Sequence, residues 1–155
     1  MYADSVRDPD LFFATGISVV DPFVYVEADG KRVIVTSEIE ADAARRNSTA
    51  TDVWLGSSFG SRDLIAGGMS WDEASLEILS RVVAECGLDE VVVPPSFPVE
   101  AADHLREKGV AVHPDRQHFA LRRRAKDESA LAGIRAAQRA TEAAMARVVE
   151  VLGSS

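Results

Sequence analysis

Two runs of β-favouring residues on either side of Asp29-Gly30 most strongly constrain how this chain folds. Residues 23–28 and 32–36 are rich in valine, isoleucine and aromatic residues, which strands favour. An Asp-Gly pair readily takes the positive φ angles that a two-residue hairpin turn needs at both positions. The sequence therefore predicts an antiparallel hairpin near the amino terminus.

Short elements are predicted on both sides of this hairpin. Leu11–Thr15 is an apolar run that stops at Gly16, which predicts a strand. Ser37 and Glu40 have the spacing of a capping box and predict a helix that extends to about Asn47. A strand over residues 52–56 and a loop over the Gly- and Ser-rich residues 57–68 follow.

The middle of the chain alternates helix and strand. Ser70 and Glu73 form a second capping-box pattern. Apolar residues then recur at helical spacing until Gly87, namely Trp71, Ala74, Ile78, Leu79, Val82, Val83 and Cys86. Residues 90–93 are apolar on both faces and predict a central, covered strand. A helix over residues 98–108 with Val99, Ala102 and Leu105 on one face, and a strand over residues 110–113, complete the region.

These elements predict an α/β fold in which a mixed β-sheet is flanked by helices. The last element differs from the rest, because residues 127–152 predict one long helix. Its apolar residues fall at three- and four-residue steps and its alanines favour helix, with the steps at Leu131, Ile134, Thr141, Met145, Val148 and Leu152. A helix of about 26 residues spans about 39 Å at 1.5 Å per residue. We expect it to lead to a second domain, with Gly153-Ser154-Ser155 as a linker.

Length and charge limit the classes of partner. The 155 residues correspond to about one domain, and the net charge is −8. Nucleic acid and anionic membranes attract basic surfaces, so neither is an expected partner. The sequence has no apolar run of roughly 18 residues and no signal-peptide pattern at its start. A cytoplasmic location is therefore expected.

No residue of the chain is predicted to be catalytic or to bind a metal. Cys86 is the single cysteine and ends an apolar helical stripe, which suits a buried small side chain. The three histidines lack the spacing of short zinc motifs, and the serines lack a nucleophile-elbow pattern. The basic run Leu121–Lys126 is interpreted as a solvated junction between a strand and a helix, with a patch for phosphate or an acidic partner as the alternative.

The same junction resembles a known family. Leu121–Glu128 is an Arg-rich segment followed by a lysine and an acidic helix start. It continues with an Ile-Arg pair and several alanines, namely Ile134, Arg135, Ala137, Ala140, Ala143 and Ala144. Phe12-Phe13-Ala14-Thr15-Gly16 also resembles an aromatic-rich stretch that ends in Thr-Gly. Together these segments resemble the N-terminal domain of the creatinase/prolidase/Xaa-Pro aminopeptidase metallopeptidases, in which an Arg-rich strand end precedes the helix.

The resemblance implies an RNase H-like domain over residues 1–126, and over residues 127–155 a long helix and linker towards a catalytic domain that this chain lacks. That domain would hold two divalent metal ions (Mn, Co or Zn) through two Asp, one His and two Glu. This chain would then be non-catalytic and would contribute to homodimer formation and to the access of a peptide substrate. Phe12 occupies the place of an aromatic residue that approaches the substrate in the family, and the alternative is a core phenylalanine in a strand.

Two other functions stay open from the sequence. The chain is a stand-alone peptide- or protein-binding module derived from a peptidase-like domain, or it is a small hydrolase whose site the sequence does not reveal. Asp10 and Asp21 match the eleven-residue spacing of the family's metal-binding Asp pair. Since no histidine or glutamate segment follows them in register, we interpret that match as chance.

Overall fold

The computed structural model describes residues 1–153. Two compact units are present, one over residues 1–119 and one over residues 120–155. Both sheets lie in the first unit, while the second consists mainly of one long helix. The chain is therefore mixed α/β, with a mixed sheet and a long C-terminal helix, as the sequence predicts.

The first sheet has four strands in the order β1-β2-β3-β4, formed by Tyr2–Ala3, Phe23–Ala28, Lys31–Thr36 and Asp52–Leu55. The first three are antiparallel, and β4 is parallel to β3. The predicted hairpin is confirmed, since Asp29 (φ 51°) and Gly30 (φ 76°) both adopt the left-handed conformation between β2 and β3.

The predicted strand at Leu11–Thr15 is wrong, because these residues belong to helix α1, Pro9–Thr15. Asp8 precedes the helix and its carboxylate accepts hydrogen bonds from the backbone N–H groups of Asp10 (3.0 Å) and Leu11 (2.8 Å). Pro9 suits the first helical turn, where no N–H donor is needed, and Gly16 ends the helix at φ 72°. These end signals overcome the strand preference of the short apolar run.

Helix α2, Glu38–Asn47, is confirmed, but its predicted capping box is wrong because Ser37 makes no side-chain cap bond. The predicted loop over residues 57–68 is also wrong. Gly56–Phe59 form a 3₁₀ turn and Ser61–Ala66 form a short helix, α3. Gly60 lies between them at φ 82°, a conformation that glycine takes without steric cost.

The rest of the first unit follows the predicted alternation. Helix α4, Trp71–Glu85, has the predicted capping box at Ser70, and strand β5 (Glu90–Val93), helix α5 (Val99–Glu107) and strand β6 (Ala111–Pro114) come next. Strands β5 and β6 form a separate, parallel two-stranded sheet. The prediction of a central, covered strand for β5 is wrong, since Val92 is 52% exposed.

The hydrophobic core covers both faces of the four-stranded sheet. Val33 and Val35 pack with apolar residues of α4, α5, β5 and β6, whereas Ile34 points to the other face and packs with Leu11 of α1 and Ala44 of α2. Successive side chains of a strand point to opposite faces of the sheet, so neighbouring residues of β3 pack into different parts of the core. Trp71 and Val99, both predicted on buried helical stripes, lie outside the core at 66% and 74% exposed.

The basic run does not lie at the end of a strand, as the family resemblance predicts. It lies at the end of helix α6, Arg116–Arg124. The long helix is confirmed as α7, Glu128–Gly153, and no residue of α7 is buried in the part of the chain that the structure describes. The predicted linker extends into residues 154–155, which lie outside the described residues.

Candidate functional site

A cavity of about 250 Å³ opens where β3 and β4 end. Thr36 of β3 lies opposite Leu55 of β4 in parallel register, and a helical segment follows each strand at once, α2 after β3 and the 3₁₀ turn after β4. In open α/β sheets, ligands commonly bind beyond the carboxyl ends of parallel strands. The topology of this unit therefore places the cavity where such sheets usually bind ligands.

The inner wall of the cavity is largely apolar. Val24, Val35 and Ile78 line it and belong to the hydrophobic core. Tyr2 also lines it, and β1 holds this residue against Val24 of β2. Burial raises the pKa of the Tyr2 phenol, although a hydrogen bond with Ser75 acts in the opposite direction. The phenol is therefore neutral near pH 7 and offers the cavity both a donor and an acceptor.

Three carboxylates stand at the edge of the cavity, those of Asp21, Glu38 and Glu40. A hydrogen bond from Ser57 is the main cause that lowers the pKa of Glu38, and the Arg62 guanidinium lies 2.8 Å from the Glu38 carboxylate. Among the described residues, Asp21 and Glu40 form no ion pair. The cavity therefore has a negative edge that is only partly neutralised.

Trp71 also lines the cavity. Trp71 is the first residue of α4, and the capping box fixes the start of this helix. The Ser70 backbone N–H donates to the Glu73 carboxylate at 2.8 Å, and the Glu73 N–H donates to the Ser70 hydroxyl at 3.3 Å. Trp71 is 66% exposed, so much of its side chain is accessible to a ligand in the cavity.

The lining offers binding groups but no activated nucleophile. Ser57, Ser61 and Ser75 contribute hydroxyls, yet a serine nucleophile needs an adjacent base, and among the described residues no histidine lines the cavity. The arrangement can bind polar and charged groups, and it gives no support to a hidden hydrolase site.

The surroundings of His104, His113 and Cys86 are those of structural residues rather than of catalytic ones. His104 Nε2 lies 3.5 Å from the Glu77 carboxylate, which also pairs with Lys108 at 2.9 Å and with Arg81 at 3.2 Å. His113 lies at the end of β6, near Glu90. Burial raises the pKa of the Cys86 thiol, so the reactive thiolate is disfavoured at neutral pH.

The residues considered as candidates from the sequence, Phe12, Asp10 and Asp21, do not form one site in the structure. Phe12 lies on α1 and is 49% exposed, so the alternative of a core phenylalanine in a strand is wrong. Asp10 is buried on the same helix, whereas Asp21 is exposed at the cavity. Among residues 1–153, no three His, Cys, Asp or Glu side chains come together as metal ligands. The described residues therefore form no two-metal centre, which the family resemblance assigns to a catalytic domain outside this chain.

Sequence analysis missed the cavity because its walls come from distant segments. Tyr2, Glu40 and Trp71 meet only after β1 pairs with β2 and α4 packs on the sheet. One usable signal was present, since Ser37–Glu40 directly follows β3, and polar residues after a parallel strand lie where such folds bind ligands.

The sequence was compared with models of known protein families and with curated proteins, and it matches none of them. Between Met1 and Gly153, no helix is both long enough and apolar enough to cross a lipid bilayer.

Proposed function

We propose that this chain is the non-catalytic N-terminal domain of an Xaa-Pro aminopeptidase- or dipeptidase-like metallopeptidase of the creatinase/prolidase type. The observation that carries the proposal is helix α7, a 26-residue helix with an apolar stripe that lacks a buried residue in the described chain. In proteins, helices draw most of their stability from the packing of an apolar face against the rest of the fold. A helix of this kind is suited to pack against a further domain.

The stripe on α7 carries exposed apolar residues, with Thr141 between Ile134 and Met145. Ile134 is 50% exposed, Met145 is 66% exposed, Val148 is 57% exposed and Leu152 is 72% exposed. Met145, Val148 and Leu152 follow one another at three- and four-residue steps, and Ile134 precedes Met145 by about three helical turns, so all four lie along one side of the helix. The proposed occupant of this side is the catalytic domain, since the resemblance at Leu121–Glu128 places that domain directly after the helix.

The order of the elements supports the finer assignment of fold. A hairpin is followed by a strand that runs parallel to the second hairpin strand, and helices cover both faces of the sheet. This order is compatible with the RNase H-like domain of creatinase and prolidase. The departure is the basic run, which belongs to helix α6 rather than to a strand end.

In the proposed enzyme, the two divalent metal ions belong to the catalytic domain, where they would activate a water molecule for attack on the bond before proline. This chain contributes no metal ligand to that reaction. Its proposed roles are to assist homodimer formation and to form part of the passage for the peptide substrate. Phe12 is the proposed contact with the substrate, because half of its side chain is exposed on α1.

The proposal is tested by comparing this chain with the product of its complete reading frame. Both proteins are assayed on an Xaa-Pro dipeptide and on a longer Xaa-Pro peptide with added Mn²⁺ or Co²⁺. We expect metal-dependent cleavage by the longer product and none by residues 1–155. A frame that stops directly after Ser155, or cleavage by this chain alone, would overturn the proposal.

Variants on α7 test the packing role separately. In the longer product, Val148→Asp places a charge on the proposed contact and is expected to lower both the yield of folded enzyme and its activity, because buried unpaired charge is costly. Ala143→Asp is the control, since the 3.6-residue repeat places Ala143 on the other side of the helix. If both variants behave alike, α7 does not pack through its apolar stripe.

The alternative function is a stand-alone peptide- or protein-binding module, and the acidic cavity favours it. A chain with a net charge of −8 and a carboxylate-edged cavity suits a basic partner. The two proposals make different predictions for the gene, since only the peptidase proposal requires a metal-binding domain after residue 155.

A further inference from the structure

We propose that the cavity at the ends of β3 and β4 binds an organic cation, an ammonium or guanidinium group carried on a short hydrocarbon stem. This inference concerns residues 1–119 alone. It does not depend on whether the chain belongs to a peptidase. It assigns a ligand class to a site that the proposed accessory role does not use.

The charges of the lining favour a cation. Asp21, Glu38 and Glu40 are acidic, and no lysine, arginine or histidine lines the cavity within the described chain. Arg62 pairs with Glu38 from outside the lining, which leaves Asp21 and Glu40 without an ion-pair partner among the described residues. Glu40 is half-buried, so its carboxylate is less screened by solvent than a fully exposed one.

The aromatic and apolar walls favour an organic cation over a metal ion. A cation over the face of an exposed tryptophan gains attraction from the ring, and Trp71, which is 66% exposed, lines the cavity. Val24, Val35 and Ile78 line the interior, where a hydrocarbon stem would replace water. Divalent metals instead need several converging oxygen ligands, and within residues 1–153 no three His, Cys, Asp or Glu side chains are placed so that they could hold a metal ion.

The size of the cavity limits the ligand to a side chain or a small amine. Drug-sized ligands occupy pockets of roughly 300–1,000 Å³, and this cavity has about 250 Å³. The first residues of α2, α3 and α4 all line the cavity, and helix N-termini attract anions. Acidic side chains already occupy the first turn of each helix, namely Glu38 and Glu40 in α2, Asp63 in α3, and Asp72 and Glu73 in α4. The protein's own carboxylates therefore satisfy this attraction.

Binding is measured by ¹⁵N-NMR, with the indole N–H signal of Trp71 as the reporter. The probes are N-acetyl-lysine amide, agmatine and the uncharged N-acetyl-norleucine amide, each up to about 20 mM. We expect saturable shifts of Trp71 with the two cations and none with the norleucine compound. A short acetylated peptide with a central lysine distinguishes a peptide source from a free amine. Tighter binding than agmatine identifies the peptide, while equal or weaker binding identifies the small amine.

Variants show whether the named residues form the site. Glu40→Gln and Trp71→Ala are each expected to weaken binding by at least about threefold. Because Trp71→Ala has no indole reporter, its binding is followed through the backbone amide signals of Glu38 and Ser57, which also line the cavity. Asp42→Asn is the matched control, because Asp42 lies on the same helix, pairs with Arg45 and is not part of the lining. Its affinity for the probes is expected to be unchanged, and circular dichroism checks that each variant is folded.

The proposal is overturned by equal binding of the uncharged compound, by a lack of any Trp71 shift at the highest probe concentration, or by tighter binding of Ca²⁺ or Mn²⁺ at the same residues. Loss of binding in Asp42→Asn equal to that in Glu40→Gln would also overturn it, because the effect would then arise from overall charge. None of these results bears on the peptidase assay, so the two proposals fail independently.

Discussion

Asp8 connects two distant parts of the first unit, and its removal gives a sharp test of the fold. One carboxylate oxygen caps α1 through the N–H groups of Asp10 and Leu11. The other accepts a hydrogen bond of 2.6 Å from the hydroxyl of Ser96, which lies 88 residues away in the loop before α5. Asp8 is only 7% exposed, so both interactions are shielded from solvent.

The cost of Asp8→Ala follows from these contacts. Loss of an N-terminal cap costs about 1 kcal/mol, and loss of a hydrogen bond to a charged acceptor costs about 1.5 kcal/mol. We therefore expect Asp8→Ala to lower the free energy of unfolding of the first unit by about 2.5 kcal/mol. Asp8→Asn keeps a good cap and is expected to cost about 1 kcal/mol.

The assay is urea unfolding followed by tryptophan fluorescence. Trp54 and Trp71 are the two tryptophans of the chain and both lie in residues 1–119, so the signal reports this unit alone. Asp42→Ala removes an exposed carboxylate that pairs with Arg45 and is expected to cost about 0.5 kcal/mol or less. If Asp8→Ala costs no more than Asp42→Ala, Asp8 does not cap α1 or connect it to Ser96.

The remaining predictions concern other parts of the same unit. Lys108, through a hydrogen bond, and then Arg81 lower the pKa of Glu77 from its usual 4.5. The charged carboxylate therefore stabilises the fold above about pH 4.5, and this stability is lost as the pH falls through the folded pKa. Glu77→Gln is expected to cost about 1 kcal/mol at pH 7 and progressively less in acid, measured by urea unfolding across pH. An unchanged deficit at low pH would contradict this. Leu105→Ala empties a site that is 1% exposed and is expected to cost about 3 kcal/mol in the same assay, and a cost below about 1 kcal/mol would show that Leu105 is not in the core. Gly60→Ala forces φ 82° on a residue with a side chain and places its Cβ 2.7 Å from Arg81. We expect a cost of about 1–2 kcal/mol, and a neutral thermal melt would contradict the left-handed turn.

The sequence predicts most elements of this fold because their local signals agree. Three local signals each indicate a structure that needs no distant contact, namely the Asp29-Gly30 turn, the Ser70 capping box and the spacing of apolar residues in α4. The prediction of a strand over residues 11–15 failed because a five-residue apolar run is compatible with a strand or a helix. The capping by Asp8 and the C-terminal Gly16 decide in favour of the helix.

The residues of the cavity were harder to predict from the sequence than the elements of the fold. Trp71 occupies a position in the apolar pattern of α4, and only its 66% exposure shows that it lies outside the core. Ser37 and Glu40 match a capping box, but Ser37 makes no side-chain cap bond and both residues line the cavity. Local patterns cannot separate these uses, because the same residue types serve caps, cores and binding sites.

Hydrogen exchange of α7 tests the central proposal most directly. The amides of residues 137–151 are compared in this chain and in the product of the complete reading frame, under the same conditions. A helix that packs against a catalytic domain exchanges slowly in the longer product and much faster in this chain, because its protection then comes from tertiary packing. Equal exchange rates in the two proteins would show that α7 does not pack on a following domain and would contradict the accessory role proposed for this chain.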